Sequence, residues 1–227
     1  MGSIAENVAR VRERIESAAG GRRVLLVAAS KMNDADRVRE AVAAGVDACG
    51  ENRVQELVEK REAHAYDGAA LHFIGHLQRN KVKQVVGHVA LIQSVGSLEL
   101  LDEIEKVAAA RGLVQDILLE VNIGGEESKT GVAPEALWPL LDAAAAQEHI
   151  RVKGLMAIPP VNDDDARNRR YLAEVYKLFV QAGECGYSNV SMETLSMGMS
   201  GDYEDAIRAG ATMVRVGSAI FGARHYN

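Results

Sequence analysis

The stretch Val24-Leu25-Leu26-Val27-Ala28-Ala29-Ser30-Lys31 begins as an apolar run and ends on a hydroxyl and an amine. A continuous apolar run of this length is typical of a strand buried on both faces in a parallel sheet. Before it, apolar residues recur at helical spacing up to Gly20-Gly21. These residues are Ile4, Val8, Val11 and Ile15. We therefore expect an N-terminal amphipathic helix and then a strand that delivers Lys31 to its carboxyl end.

The order of apolar segment, polar loop, amphipathic helix and glycine recurs along the chain, first with a helix predicted from Asp34 to Ala44 before Gly45. The predicted strands are 24–30, 46–50, 71–75, 90–94, 115–122, 151–157, 193–197 and 212–217. Further helices are predicted at 53–65, 78–86, 97–110, 134–146, 164–183 and 202–208. About eight alternating strands favour a closed (β/α)8 TIM barrel, and an open doubly wound sheet is the alternative.

The chain has 227 residues, of which 48% are hydrophobic and 26% charged, as in an ordinary globular protein. Such a length suits a single TIM-barrel domain over residues 1–227, including the N-terminal helix. The net charge of -6 argues against a general nucleic-acid binder, which needs a concentrated basic face.

The location is expected to be the cytoplasm. The first 19 residues carry many charges and cannot form the apolar core of a signal peptide. No apolar run reaches the length of about 20 residues that spans a bilayer. Cys49 and Cys185 are far apart, which predicts neither a disulfide framework nor a zinc site.

In a TIM barrel, chemistry gathers at the carboxyl ends of the strands, and here those positions are polar and rich in glycine. Gly217-Ser218 ends the last predicted strand, and Ser196 and Ser200 flank Gly198 after the preceding one. Backbone N–H groups and serine hydroxyls in such loops suit a phosphate group. The alternative is that these are ordinary turn residues.

Arg215 lies within the apolar segment Met213-Val214-Arg215-Val216, so alternation places it on the same face as Met213 and Gly217. A guanidinium inside a barrel needs a partner because it cannot lose its proton. One candidate partner is the pyridine nitrogen of a cofactor. The alternative is a salt bridge to one of the glutamates expected near the mouth, which are Glu51, Glu120 and Glu193.

Lys31 either is an exposed loop lysine or forms a Schiff base, for which its amine must be neutral in a desolvated or cation-flanked pocket. Together, a lysine, an arginine and two Gly/Ser loops point to pyridoxal phosphate. His72 and His76 do not have the spacing of a zinc motif, so no metal site is predicted.

Several motifs in order resemble those of the pyridoxal phosphate homeostasis protein family over nearly the whole chain. They are Ala29-Ser30-Lys31, Gly50-Glu51-Asn52, His72-Phe73-Ile74-Gly75, Leu77-Gln78-Arg79-Asn80-Lys81, Gly154-Leu155-Met156, Leu195-Ser196-Met197-Gly198-Met199-Ser200 with Asp202, and Arg215-Val216-Gly217-Ser218-Ala219-Ile220-Phe221-Gly222.

The resemblance implies a barrel similar to the N-terminal domain of alanine racemase, with pyridoxal 5'-phosphate linked to Lys31. It places Arg215 at the pyridine nitrogen and Asn52 beside the ring, with Met156 also in the site. It assigns the phosphate to Ser196, Ser200, Gly217 and Ser218. Many relatives have threonine in place of Ser218, which keeps the hydroxyl.

Racemases of this fold also use a tyrosine as a second base and a separate β-domain. The barrel accounts for this chain, so we expect no β-domain, and nothing in the sequence places Tyr203 or Tyr226 opposite Lys31. The resemblance therefore implies a protein of vitamin B6 homeostasis that binds the cofactor and supplies it to apo-enzymes, without catalytic residues. We expect it to be a cytoplasmic monomer that binds neither nucleic acid nor membranes. A racemase-like enzyme, or a barrel for another phosphorylated ligand, is the alternative.

Overall fold

A computed structural model describes residues 2–126, 130–160 and 164–222. Its eight strands are all parallel and close into a barrel in sequence order, because β8 pairs with β1. The strands are β1 (Leu25–Ala29), β2 (Ala48–Glu51), β3 (Ala70–Phe73), β4 (Leu91–Val95), β5 (Gln115–Val121), β6 (Ile150–Ala157), β7 (Val190–Ser196) and β8 (Met213–Val216). The predicted TIM barrel is confirmed, and closure excludes the open sheet.

Helices alternate with the strands and pack around the barrel. They are α1 (Ile4–Ala19), α2 (Ala35–Ala43), α3 (Val54–Glu62), α4 (Leu98–Arg111), α5 (Leu137–Ala145), α6 (Asp165–Gly183), α7 (Tyr203–Arg208) and α8 (Ser218–Phe221). The N-terminal helix begins at a capping box between Ser3 and Glu6 and ends at Gly20, whose φ of 57° is left-handed.

Alternation along the strands produces two apolar cores. One lies between the barrel wall and the helices and includes Leu26, Ala28 and Val214. The other fills the barrel interior with side chains from alternating positions. Its members are Val27, Ala48, Leu91, Leu118, Met156 and Met213. Polar groups on the inward face must therefore find partners within the barrel or at its mouth.

Two predicted helices differ in form from the observed elements. The segment predicted as a helix at 78–86 contains a 3₁₀ helix over Arg79–Gln84, and its valines, Val82, Val85 and Val86, are buried. Valine has a low preference for the α-helix because its branched side chain loses rotational freedom there. The short segment is held by the burial of its valines, and it forms a 3₁₀ helix. The segment 134–146 begins with a 3₁₀ turn at Pro134–Ala136 before α5.

Strand β7 begins at Val190, three residues before its predicted start at 193. Its first residues, Val190, Ser191 and Met192, alternate between apolar and polar side chains and are only half-buried, so they lack the continuous apolar run of a fully buried strand. In the parts of the chain that the structure describes, every helix is too short or too polar to cross a membrane.

Candidate functional site

Lys31 lies two residues beyond the end of β1, at the carboxyl end of the barrel, and is half-buried. Ser30 still belongs to the wall, because its N–H donates to the carbonyl of Gly50 over 3.0 Å. The lysine is therefore the first residue that leaves the sheet at this point of the mouth.

Arg215 lies on the inward face of β8, directly beside β1, where it is in register with Val27. Its side chain is only 4% exposed. Nη1 donates to the hydroxyl of Ser196 over 2.5 Å, and Nη2 donates to the carbonyl of Ala157 over 2.9 Å. Burial lowers the pKa of Arg215 to about 10, so it remains a cation at neutral pH.

A chain of hydrogen bonds runs from Arg215 across the barrel interior. The hydroxyl of Ser196 donates to Oε1 of Gln93 over 2.6 Å. Nε2 of Gln93 in turn lies 2.9 Å from Nδ1 of His72. Burial lowers the pKa of His72 to about 4, so its ring is neutral and Nδ1 accepts this bond. The chain therefore has one direction, from the guanidinium to the imidazole.

None of the three glutamates considered as partners forms an ion pair with Arg215 in the described residues. Glu51 pairs with Lys60 at 2.8 Å, and Glu193 pairs with Lys153 at 2.8 Å. Glu120 accepts the hydroxyl of Thr130 at 2.7 Å. The salt-bridge alternative is thus wrong for the described structure.

The two Gly/Ser loops meet beside Arg215. The hydroxyl oxygen of Ser200 accepts the N–H groups of Gly217 and Ala219, at 3.2 and 3.3 Å. Ser218 between them is exposed. These loops therefore gather hydroxyl groups and backbone donors at one side of the mouth, a suitable arrangement for an anion.

Ser196 differs from the other predicted phosphate residues because it is fully buried. Its one proton goes to Gln93, and its oxygen accepts from Arg215. In this structure the serine holds the arginine and presents no proton to an anion.

Asn52 and Met156 complete the predicted set. Asn52 follows β2, and its buried Oδ1 has no hydrogen-bond partner among the residues that the structure describes. A Cβ on Gly75 would lie 2.3 Å from the carbonyl oxygen of Asn52, so only glycine permits this close approach. Met156 is fully buried in the barrel interior.

A groove of about 660 Å³ lies across the mouth, at the ends of β3, β4 and β5. Its lining includes His76, Arg79, Ser94 and Glu120. Glu120 is 3% exposed, and burial raises its pKa. Within the described parts of the chain, its Oε2 has no hydrogen-bond partner. The mouth therefore has hydroxyl groups and backbone donors near β8 and a polar groove on the opposite side.

Tyr203 does not face this mouth. It packs in the outer core, with the guanidinium of Arg14 on α1 located 5.6 Å from its ring centre. Tyr226 lies outside the described residues. The described residues contain no cluster of three or more His, Cys, Asp or Glu side chains suited to a metal ion.

Gln93 and His72 were missed by sequence reasoning as parts of this site. The signal available was the polar pair Gln93-Ser94 inside the apolar segment that forms β4. Alternation would have placed Gln93 on the inward face with Leu91.

Comparison with known proteins agrees with this architecture. The family model described as "Alanine racemase, N-terminal domain" matches residues 1–225. The pyridoxal phosphate homeostasis protein of Aquifex aeolicus is 42% identical, covering 97% of this chain and 98% of the relative. The protein of the same name from Pseudomonas aeruginosa is 40% identical over 100% of this chain and 98% of its own length.

Among solved structures, PipY of Synechococcus elongatus with PLP bound superposes with a TM-score of 0.85 at 31% identity. That match covers 97% of this chain and all of PipY.

Proposed function

This chain belongs to the pyridoxal phosphate homeostasis proteins within the alanine racemase N-terminal domain family, and we propose that it binds pyridoxal 5'-phosphate for intracellular vitamin B6 homeostasis, holding it as a Schiff base on Lys31. Its relatives carry that name, and a homologous structure contains PLP. The observation that carries the proposal in this chain is Arg215. It is a buried cation beside β1 whose described partners are all neutral oxygen atoms.

The groups at the mouth fit the cofactor part by part. Arg215 can donate to the pyridine nitrogen, which then stays unprotonated. The hydroxyl groups of Ser200 and Ser218 and the backbone N–H of Ser218 can donate to the phosphate, while the N–H groups of Gly217 and Ala219 hold the oxygen of Ser200 in place. The buried Oδ1 of Asn52 has no partner in the described structure, so it can accept from a polar group of the ring.

When bound, the cofactor supplies an aldehyde carbon that forms a C=N bond with a primary amine, and the aldehyde oxygen leaves as water with the two amine hydrogens. Lys31 is the amine that we assign to this bond. Arg215 lies on the neighbouring strand β8, in register with Val27 of β1.

We further propose that the protein is a cytoplasmic monomer that carries the cofactor to apo-enzymes rather than a racemase. This is supported by the position of Tyr203, which packs against α1 and not at the mouth. If L-alanine incubated with the loaded protein yields D-alanine above the level of Lys31→Ala, the racemase alternative is correct.

The deciding experiment is the absorption spectrum of the purified protein with and without added pyridoxal phosphate, compared with Lys31→Ala. We expect a visible band in the unaltered protein, borohydride reduction that fixes the added mass to Lys31, and neither result in the variant. Absence of the band and of the added mass in the unaltered protein contradicts the proposal.

A further inference from the structure

A cluster of buried polar residues lies directly behind the loop that carries Lys31, on the helix side of the barrel wall. We call Ser30, Glu51, Glu56, Lys60 and Tyr66 the Glu51 cluster. Oε1 of Glu51 accepts from the hydroxyl of Ser30 at 2.7 Å, from Nζ of Lys60 at 2.8 Å and from the hydroxyl of Tyr66 at 3.1 Å. These groups connect β1, β2 and α3.

Lys60 is unusual for a helix lysine because it is only 7% exposed. Its Nζ has three acceptors, which are Oε1 of Glu51 at 2.8 Å, the carbonyl of Ser30 at 2.9 Å and Oε2 of Glu56 at 3.1 Å. Burial raises the pKa of Glu51, and the charge of Lys60 opposes that rise. A buried ion pair often stabilises a fold no better than apolar side chains would, so its presence here suggests a role in fixing geometry.

The cluster holds the backbone on both sides of Lys31. On one side, Ser30 is bound through its carbonyl and its hydroxyl. On the other side, the N–H of Met32 donates to Oε2 of Glu56 over 2.7 Å. Met32 has a φ of 62°, which is unfavourable for a residue with a side chain, and it is half-exposed. The bond to Glu56 therefore helps to hold Met32 in this conformation, together with the N–H of Asn33, which donates to the carbonyl of Ser30 over 3.2 Å.

We propose that Glu56 and Lys60 are positioning residues that set the direction in which Lys31 leaves the barrel wall, so that its amine meets the aldehyde of the cofactor. This inference rests on the proposed function and deepens it. Glu56 acts through Met32, and Lys60 acts through Ser30. Neither residue is proposed to contact the cofactor itself.

The test separates capture of the aldehyde from binding of the rest of the cofactor. Pyridoxine 5'-phosphate has an alcohol in place of the aldehyde, so it reports on the ring and phosphate contacts alone. For Glu56→Ala we expect capture of pyridoxal phosphate on Lys31, followed by absorbance and by borohydride-fixed mass, to slow about tenfold or more. Affinity for pyridoxine 5'-phosphate should stay within about twofold.

Three further variants sharpen the result. Glu56→Gln keeps an acceptor for the N–H of Met32 and should restore most of the capture rate. Glu193→Ala removes a carboxylate that pairs with Lys153 at 2.8 Å on the other side of the barrel. It should change neither the capture rate nor the affinity for pyridoxine 5'-phosphate. Lys60→Met keeps the length of the side chain. Like Glu56→Ala, it should slow capture of pyridoxal phosphate and leave the affinity for pyridoxine 5'-phosphate unchanged.

Equal losses for pyridoxal phosphate and pyridoxine 5'-phosphate in Glu56→Ala and Lys60→Met would mean that the cluster only supports the fold, and would overturn the inference. Unchanged capture in these variants would overturn it as well. If the unaltered protein captures no pyridoxal phosphate on Lys31, the proposed function fails and this inference fails with it.

Discussion

The hydroxyl oxygen of Ser196 lies 2.5 Å from Nη1 of Arg215, and its proton is donated to Gln93. The serine thus sets the direction of the guanidinium from within the barrel. It belongs to the ring side of the proposed site, although its place in a Gly/Ser loop predicts contact with the phosphate.

We expect Ser196→Ala to weaken binding of pyridoxal phosphate and of pyridoxal by the same factor, about tenfold, because both ligands contain the ring nitrogen. Equilibrium titrations followed by absorbance would measure both affinities. A loss confined to pyridoxal phosphate would instead place Ser196 at the phosphate.

Ser200→Ala should show the opposite selectivity. Its hydroxyl organises the N–H groups of Gly217 and Ala219, so affinity for pyridoxal phosphate should fall by about tenfold and affinity for pyridoxal should not change. Ser97→Ala is a matched control, because Ser97 caps α4 through Leu100 on the other side of the barrel. Equal weakening of both ligands by Ser200→Ala would contradict a phosphate role.

His72 should make folding stability depend on pH. Its pKa is about 4 in the folded protein because of burial, and about 6.5 when the chain is unfolded. The unfolded chain therefore binds more protons between these values. Stability is full above pH 6.5 and falls, by up to about 3 kcal/mol, as the pH drops towards 4.

Urea unfolding of the unaltered protein and of His72→Asn at several pH values would measure this effect. Asparagine can still accept from Gln93 but does not titrate. The difference between the two proteins isolates His72, since they share the same carboxylates. Parallel pH profiles would show that the buried imidazole is not responsible.

Gly75→Ala should destabilise the fold by about 2–4 kcal/mol, because the new Cβ would lie 2.3 Å from the carbonyl oxygen of Asn52. The free energy of unfolding reports the loss, and cofactor affinity should fall as Asn52 moves. Gly183→Ala is the control, since its Cβ would meet Met192 at an ordinary 3.5 Å. Unchanged stability in Gly75→Ala would contradict the close packing.

The positions of Lys31 and Arg215 followed from the sequence because each depends on one strand. An apolar run ends before Lys31, and alternation within β8 turns Arg215 inward. Both patterns are local and can be recognised in the sequence of one strand, without knowledge of the neighbouring strands.

The partners of those residues could not be predicted in the same way. Contact between Gln93 and Ser196 depends on how β4 and β7 face each other across the barrel, which one sequence does not encode locally. The burial of Lys60 could not be predicted for a different reason. It lies on an amphipathic helix, where lysines are usually solvated, and only the register of α3 on β2 buries it.

The pairing of β1 with β8 has a consequence for the order of events during synthesis. Val27 and Arg215 become neighbours only when the last strand has left the ribosome and closed the ring. Until then Lys31 has no guanidinium beside it and no Gly217 loop. Under the proposed function, the complete set of groups for the cofactor is therefore assembled only when the barrel has closed.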